Sequence, residues 1–567
     1  MMKRVQYLSS IAAIALVMPA IAQAQAYGPD DAVTGGGDRS ERSSRDERSE
    51  RPQRKRATVT PYIEVSQVVL AELSPNDDVV TFSQVAAGVD ASVQGRNNGG
   101  SVSLRYERNI GYGDAALDSD TVTGIARGYA SVVPQVLTVE AGALAARTQV
   151  DNGGGASLNP VEGLGAEDES RIYSAYAGPN LATKVGEVAV SANYRFGYTR
   201  VEAPDAVVTT PGGPAVDVFD DSTTHSANAS LGVKPNTVLP VGLGAGAGFY
   251  QEDISNLDQR VRDVYVRGDV TVPVTSEFAV VGGVGYEDVK VSSRDAVLDA
   301  GGAPVIDADG RFVTDTSAPR QIAFETDGLI WDVGVVWRPS RRTAFEAHYG
   351  RRYDSDTYYG SFAYAPNARS SVNLSVYDGV AGFGGVLNNA LVALPTNFEA
   401  NRNPLTGDLN GCVTSLEGGN CLGGALGSVR SAVFRSRGGV LSYSRAVGSR
   451  MNASVGIGYD RRTFIAAQGT VLAGADGLSE ESFYGSIAVS GELGRNAGFS
   501  VNAYANYLTS DFTDTDATIL GASAAYRRYI YGGLSARAAV ALDYLNSEAA
   551  GEDLKTASAL VGLRYDF

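Results

Sequence analysis

Counted back in twos from Phe567, the chain sets Tyr565, Leu563, Val561, Ala559 and Ala557 on one parity, and Asp566, Arg564, Gly562, Leu560, Ser558 and Thr556 on the other. A period of two held over so many residues is a β-strand with one apolar and one largely polar face. Such a strand suits the wall of a membrane barrel, where residues facing lipid and lumen alternate. The competing reading is the last strand of a soluble sandwich, which a terminal Phe carboxylate on the apolar parity disfavours.

At the other end, Lys3 and Arg4 precede a run from Ile11 to Ala22 that is apolar except at Pro19. Ala22-Gln23-Ala24 and Ala24-Gln25-Ala26 then offer small-x-small cleavage sites. This is the pattern of a secretory signal peptide over residues 1–24. No other stretch reaches the roughly 18–20 apolar residues of a membrane helix. An exported chain of this kind re-enters a membrane only as a closed barrel, the other spanning structure whose backbone groups are all satisfied.

Residues 25–57 form a polar arm, with Asp38 to Arg51 mixing both signs of charge and Arg54-Lys55-Arg56 ending it basic. So little apolar surface predicts a disordered periplasmic arm. It serves as a solvated spacer or as a tether to peptidoglycan or a periplasmic protein; nucleic acid is not an expected partner of an exported chain. The 2 cysteines, Cys412 and Cys421, share one Gly/Asn-rich loop. In an oxidising compartment they are expected to pair, closing a ring worth about 2–3 kcal/mol on a chain-entropy argument. Metal ligation by them finds no neighbouring His.

From Thr58 to Phe567 the alternation recurs in about twenty-two segments, with a range of roughly 18–24, which predicts an all-β, antiparallel up-and-down transmembrane barrel. The connections alternate in kind. Short turns such as Gly95-Arg96-Asn97-Asn98, Thr275-Ser276-Glu277 and Val447-Gly448-Ser449-Arg450 face one side, and long segments near 151–169, 204–221, 295–320 and 385–429 face the other. Short periplasmic turns and long outer loops are the asymmetry of a bacterial barrel. The outer loops concentrate acidic residues, among them Asp114, Asp118, Glu167, Asp168, Asp217, Asp220, Asp299, Asp307 and Asp309, whereas the short turns favour Arg96, Arg341, Arg342, Arg450 and Arg495. The formal charge is -17. An acidic rim attracts cations to the mouth, or solubilises the loops.

Within the segments one parity is apolar and aromatic, as in Leu329, Trp331, Val333, Val335 and Trp337. The opposite parity predicts lumen-facing charge at Arg105, Glu107, Arg195, Asp263, Arg267, Asp269, Asp332, Glu346, His348, Arg352, Asp460, Arg462, Arg537, Asp543 and Arg564. Mixed ladders of this sort set a transverse field that orients polar solutes, or neutralise one another and stiffen the wall. Arg108, Arg351 and Arg461 fall on the lipid parity. Catalysis has little support: His225 and His348 are the 2 histidines, and only Asp354 and Asp356 near His348 hint at a constellation. No enzyme activity, cofactor or metal is expected.

The terminal strand resembles those of bacterial outer-membrane β-barrels, which close on an aromatic residue. The resemblance implies that Phe567, Tyr565, Leu563 and Val561 are read by the β-barrel assembly machinery. The signal peptide, the short arm, the first strand Thr60-Pro61-Tyr62-Ile63-Glu64-Val65-Ser66-Gln67 and the Phe ending are similar to the putative β-barrel porin families, some members of which accompany exopolysaccharide export. That resemblance implies an outer-membrane barrel acting as a passive channel or conduit for small solutes or polysaccharide, in contact with membrane lipid and lipopolysaccharide. The competing function is a non-conducting scaffold or adhesin presenting acidic loops. The strand number also suits plugged outer-membrane transporters, but only the short arm precedes Thr58, so no folded plug domain is expected there. The loop 385–429 is long enough to fold inward and constrict the pore.

Overall fold

The computed structural model describes residues 56–567 apart from 113–118, 151–155, 158–168, 203–206, 209–214, 217–220, 309, 416–419, 423–424, 427–431, 513 and 548–551. The signal peptide, the arm up to residue 55 and the loop acids Asp114, Asp118, Glu167, Asp168, Asp217, Asp220 and Asp309 lie outside the described residues.

The main sheet has 23 strands, one of them the two-residue piece Ala156–Ser157 on the end of its neighbour. The other twenty-two run antiparallel, each beside the next in sequence, from β1 (Arg56–Ser74) to β22 (Glu552–Asp566). The two end strands pair with each other, from Tyr62 opposite Asp566 to Ala71 opposite Ala557, so the ring is closed. The twenty-two strands are the number that the alternation in the sequence predicts. The alternation explains the closure. On β1, Glu64, Ser66, Val68, Leu70 and Glu72 are buried on the inner face, while Ile63, Val65 and Val69 are 49%, 56% and 44% exposed outside. On β22, Val561, Leu563, Tyr565 and Phe567 face outward and Thr556, Leu560 and Arg564 inward.

Arg108, Arg351 and Arg461 do face outward, at the long-loop ends of their strands, where each meets a carboxylate: Asp120 at 3.9 Å, Asp354 at 2.6 Å and Glu481 at 3.5 Å. They sit on the rim of the apolar band rather than within it.

Two loops at that end have structure of their own. Residues 295–318 form a three-armed knob built on an eight-residue repeat, Val297-Leu298-Asp299, Val305-Ile306-Asp307 and Val313-Thr314-Asp315. The three valines close a hydrogen-bonded cycle: Val305 N–H donates to Val297 O (2.8 Å), Val313 to Val305 O (3.0 Å) and Val297 to Val313 O (2.8 Å). Two arms close on themselves, and the third is closed by the entering chain, Asp315 N–H donating to Asp295 O at 2.8 Å. Ala296 and Phe312 anchor the knob on a cluster that includes Leu257, Phe434, Phe464, Leu472 and Phe512, so it lies across the mouth.

The described residues of the second loop, 383–432, fold into the lumen. The loop begins with α1 (Phe383–Ala393), whose Phe383, Leu387 and Leu391 recur at helical spacing and are buried, as is Leu394 just after it. Pro395 follows directly, where the chain must become extended. A small sheet comes next, Glu399–Arg402 against Leu409–Thr414, with Asn420–Cys421 along the second strand.

Candidate functional site

The lumen and this insert make the candidate site. The insert is fixed to the first strands of the ring by three kinds of contact. An apolar seam joins Leu387, Leu391, Leu394, Phe398 and Leu409 to wall residues that point inward, namely Ile125, Leu144, Ala146, Ile172 and Val201. Each fully buried leucine contributes about 1.5–3 kcal/mol, and an inward apolar wall patch has no use in a wet pore. Glu252 reaches the N-terminus of α1, its carboxylate accepting from the N–H groups of Gly382 (2.6 Å) and Gly385 (3.0 Å). That satisfies donors a helix start leaves open and opposes its dipole. The turn at 403–408 then presses on charged wall. Arg147 holds Asp408 through two bonds of 3.2 and 2.6 Å. Arg402 donates to Ser103 Oγ (3.1 Å), Thr123 Oγ1 (2.7 Å) and Gly407 O (2.7 Å). Arg537 donates to Pro404 O, and Gln84 Nε2 to Leu405 O at 3.0 Å. Gly407 has φ +70 and lies where a Cβ would run into the Arg105 side chain, so only glycine suits the turn.

All the lumen residues expected from parity face inward, and most are paired. Arg105 bridges Glu64 (3.2 Å) and Glu107 (2.8 Å), and Arg537 also meets Glu64. Arg195 shares Glu140 with Arg127. Arg352 joins Asp263 (2.7 Å) to Glu287 (2.8 Å), and Arg267 joins Asp269 (2.5 Å) to Asp332 (2.8 Å). Arg462 pairs with Asp460 at 2.8 Å, Arg564 with Asp566 at 2.8 Å and Asp90 at 3.6 Å. Asp543 accepts from the Tyr504 hydroxyl at 2.7 Å. His348 lies between Glu346 (3.0 Å) and Asp332 (3.4 Å) and stacks on Tyr359. Asp354 and Asp356 do not join His348. Asp354 pairs with outward Arg351 on the rim and Asp356 is exposed, so the hinted constellation does not form. His225 meets Tyr194 and Phe196 on the outer face. Among the described residues no group of three or more His, Cys, Asp or Glu could hold a metal ion.

Glu64, Glu252, Asp408 and Arg147 belong to the site without having been singled out from sequence. Arg147 stands on the outward parity of β5 (Leu137–Val150), but the pairing of β5 with β4 (Ser119–Val133) stops at Gly124–Ala145. Beyond that parting its side chain is free to turn to Asp408. Cys412 is disulfide-bonded and stands opposite Cys421.

Filling is uneven along the axis. On β7 (Val188–Glu202) Val201 and Thr199 are buried, Arg195 and Asn193 half-buried and Ser191 exposed. On β8 (Asp221–Val233) Ser222 and Thr224 are buried, Ser226 and Asn228 half-buried and Ser230 exposed. The long-loop half of the lumen is thus occupied here, while the short-turn half opens as a polar vestibule. The walls also meet across the occupied half. Val433 N–H donates to Gln259 Oε1 at 3.3 Å, and Ile254, Val261, Val380 and Val433 share one cluster.

Filling is uneven around the ring too. On β15 to β19 (Ser370–Gly382, Val433–Val447, Met451–Ile465, Ser479–Glu492 and Ala497–Ser510) three successive inward rungs carry no charge. In register they read Asn373, Ser442, Gly456, Ser486 and Tyr504; then Ser371, Ser444, Ser454, Ala488 and Asn502; then Ala446, Asn452, Ser490 and Ser500. The insert touches this sector through hydroxyl and disulfide-sulfur contacts, Thr414 Oγ1 to Ser454 Oγ at 3.3 Å and the Ser486 hydroxyl to Cys412 Sγ at 3.0 Å. Higher up, Arg462 donates to Ala425 O at 3.0 Å.

No family model and no curated relative matches the chain. Among solved structures it is similar to the ferric-catecholate import receptor Fiu from Escherichia coli K12, open form (10% identity, 89% of this chain and 81% of that one, TM-score 0.42). It is also similar to the FrpB iron transporter from Neisseria meningitidis, F3-3 variant (11%, 89% and 81%, 0.41), and to the siderophore receptor PiuA from Acinetobacter baumannii (9%, 89% and 82%, 0.41). Those names describe what the neighbours carry.

Proposed function

We propose that the chain is an outer-membrane β-barrel that carries small solutes or polysaccharide passively through its lumen, with the inserted segment 383–432 constricting the long-loop half. The supporting observation is the vestibule. A ring whose outside is apolar and whose inside is a half-exposed field of Ser, Asn, Arg and Asp up to the insert is built to hold water within lipid. A barrel serving only as scaffold has no need of it. The expected surroundings are outer-membrane lipid, lipopolysaccharide and the assembly machinery that reads the strand ending in Phe567.

Planar-bilayer recording tests this. The purified chain should give discrete current steps, and replacing 383–431 by a short Gly/Ser link should enlarge them. If both proteins migrate as folded, heat-modifiable barrels and neither passes current, the conduit reading fails and a scaffold presenting its loops replaces it.

A further inference from the structure

The insert is fastened asymmetrically. Towards the first eight strands of the ring it has the apolar seam, the Arg147–Asp408 pair and the Arg402 bonds. Towards the charge-free rungs of β15–β19 its disulfide-closed hairpin meets the wall at Ser454 and Ser486. A buried bidentate ion pair broken on one side costs about 3–5 kcal/mol, whereas a hydroxyl contact exchanged for water costs about 1 kcal/mol or less. Separation therefore begins on the hydroxyl side. The wall there also keeps unused hydrogen-bonding capacity: Ser371 Oγ and Ser444 Oγ, opposite one another and nearly buried, have no partner, and neither has Asn373 Nδ2.

Resting on the conduit reading, we propose that the route through the lumen is the seam between the hairpin Leu409–Thr414 and the β15–β19 wall, and that it takes uncharged polyhydroxylated chains, that is, neutral carbohydrate. Hydroxyl and carboxamide groups both donate and accept, as sugar hydroxyls require. Tyr484 and Tyr504 at the head of the sector supply ring surface, and the Tyr504 hydroxyl donates to Asp543 at 2.7 Å. An anionic chain meets no cation on these rungs, so stripping its water is not repaid.

The test is current recording on the full-length barrel, with the native Cys412–Cys421 pair intact. A neutral glucose hexamer should interrupt the current at about a tenfold lower concentration than a hexagalacturonate, a difference of about 1.4 kcal/mol. Ser454→Asp should weaken the neutral block. A second pair of variants is independent of any sugar. A disulfide between Thr414→Cys and Ser454→Cys pins the hairpin to the wall and should abolish the steps. One between Ser101→Cys and Thr396→Cys, on the fastened side (Ser101 Oγ to Thr396 O, 3.2 Å), should leave them. Steps that persist under the first crosslink, or a block that ignores solute charge, overturn the seam while leaving the conduit standing. Silence of the unmodified barrel overturns both.

Discussion

Asp408 and Arg147 show what one residue decides in this lumen. Their side chains are 1% and 3% exposed, and each is the other's ion-pair partner. Two charges so far from water gain little over an apolar pair of the same volume, but losing one strips the other of this partner, at a cost of about 3–5 kcal/mol. Asp408→Asn should therefore loosen the insert while leaving the ring intact. Limited proteolysis would read this as faster cleavage within 383–432, with heat-modifiable migration unchanged. Arg147→Met combined with Asp408→Leu should recover most of the protection. If the double variant is as labile as the single one, the pair is not what fastens the turn.

The loop elements carry the parts of the fold that the alternation left out. The knob depends on Phe312, 7% exposed on the aromatic cluster at the mouth. Phe312→Ala removes its main apolar anchor, a loss of about 3–5 kcal/mol, and should expose 295–318 to protease before any strand opens. The third arm adds a pH dependence. The Ser317 hydroxyl, then the Ser317 and Ala318 N–H groups, bond Asp315 and hold its carboxyl below the usual carboxylate range. A depressed folded value means that this stabilisation is present above the ordinary Asp pKa and is lost as pH falls through the folded one. Knob protection should thus decline only in strong acid, and Asp315→Asn should remove that decline. The ring was legible because each strand repeats a period of two. The knob was also on view, as aspartates eight residues apart at 299, 307 and 315, but a repeat of three short turns looks like ordinary loop composition until its valine cycle closes. For α1 the signal was the change of spacing at Phe383, Leu387 and Leu391. Arg147 was not legible, since its direction depends on where two neighbouring strands part.

At the scale of the whole molecule, the lumen's charges do not cancel. Arg352 faces Asp263 and Glu287, Arg564 faces Asp90 and Asp566, and Arg267 faces Asp269 and Asp332. Asp543 is held by a tyrosine hydroxyl and Glu252 by hydroxyls and backbone N–H groups. Against these stand Glu140, shared by Arg127 and Arg195, and Arg402, whose bonds go to hydroxyls and backbone carbonyls. The excess is negative, as in the chain as a whole at -17. Its vestibule-facing members include Glu346, 44% exposed, and Asp269, 28% exposed. Under a salt gradient the reversal potential should therefore take the sign of cation preference. In water-like surroundings one charge about 10 Å from a passing ion contributes about 0.4 kcal/mol, close to a factor of two. Glu346→Gln and Asp543→Asn should each lower the permeability ratio by about that factor, and the effect should fade at molar salt as screening shortens to about 3 Å. An anion-preferring current, or a ratio indifferent to both substitutions, would show that ions do not pass along the vestibule wall described here.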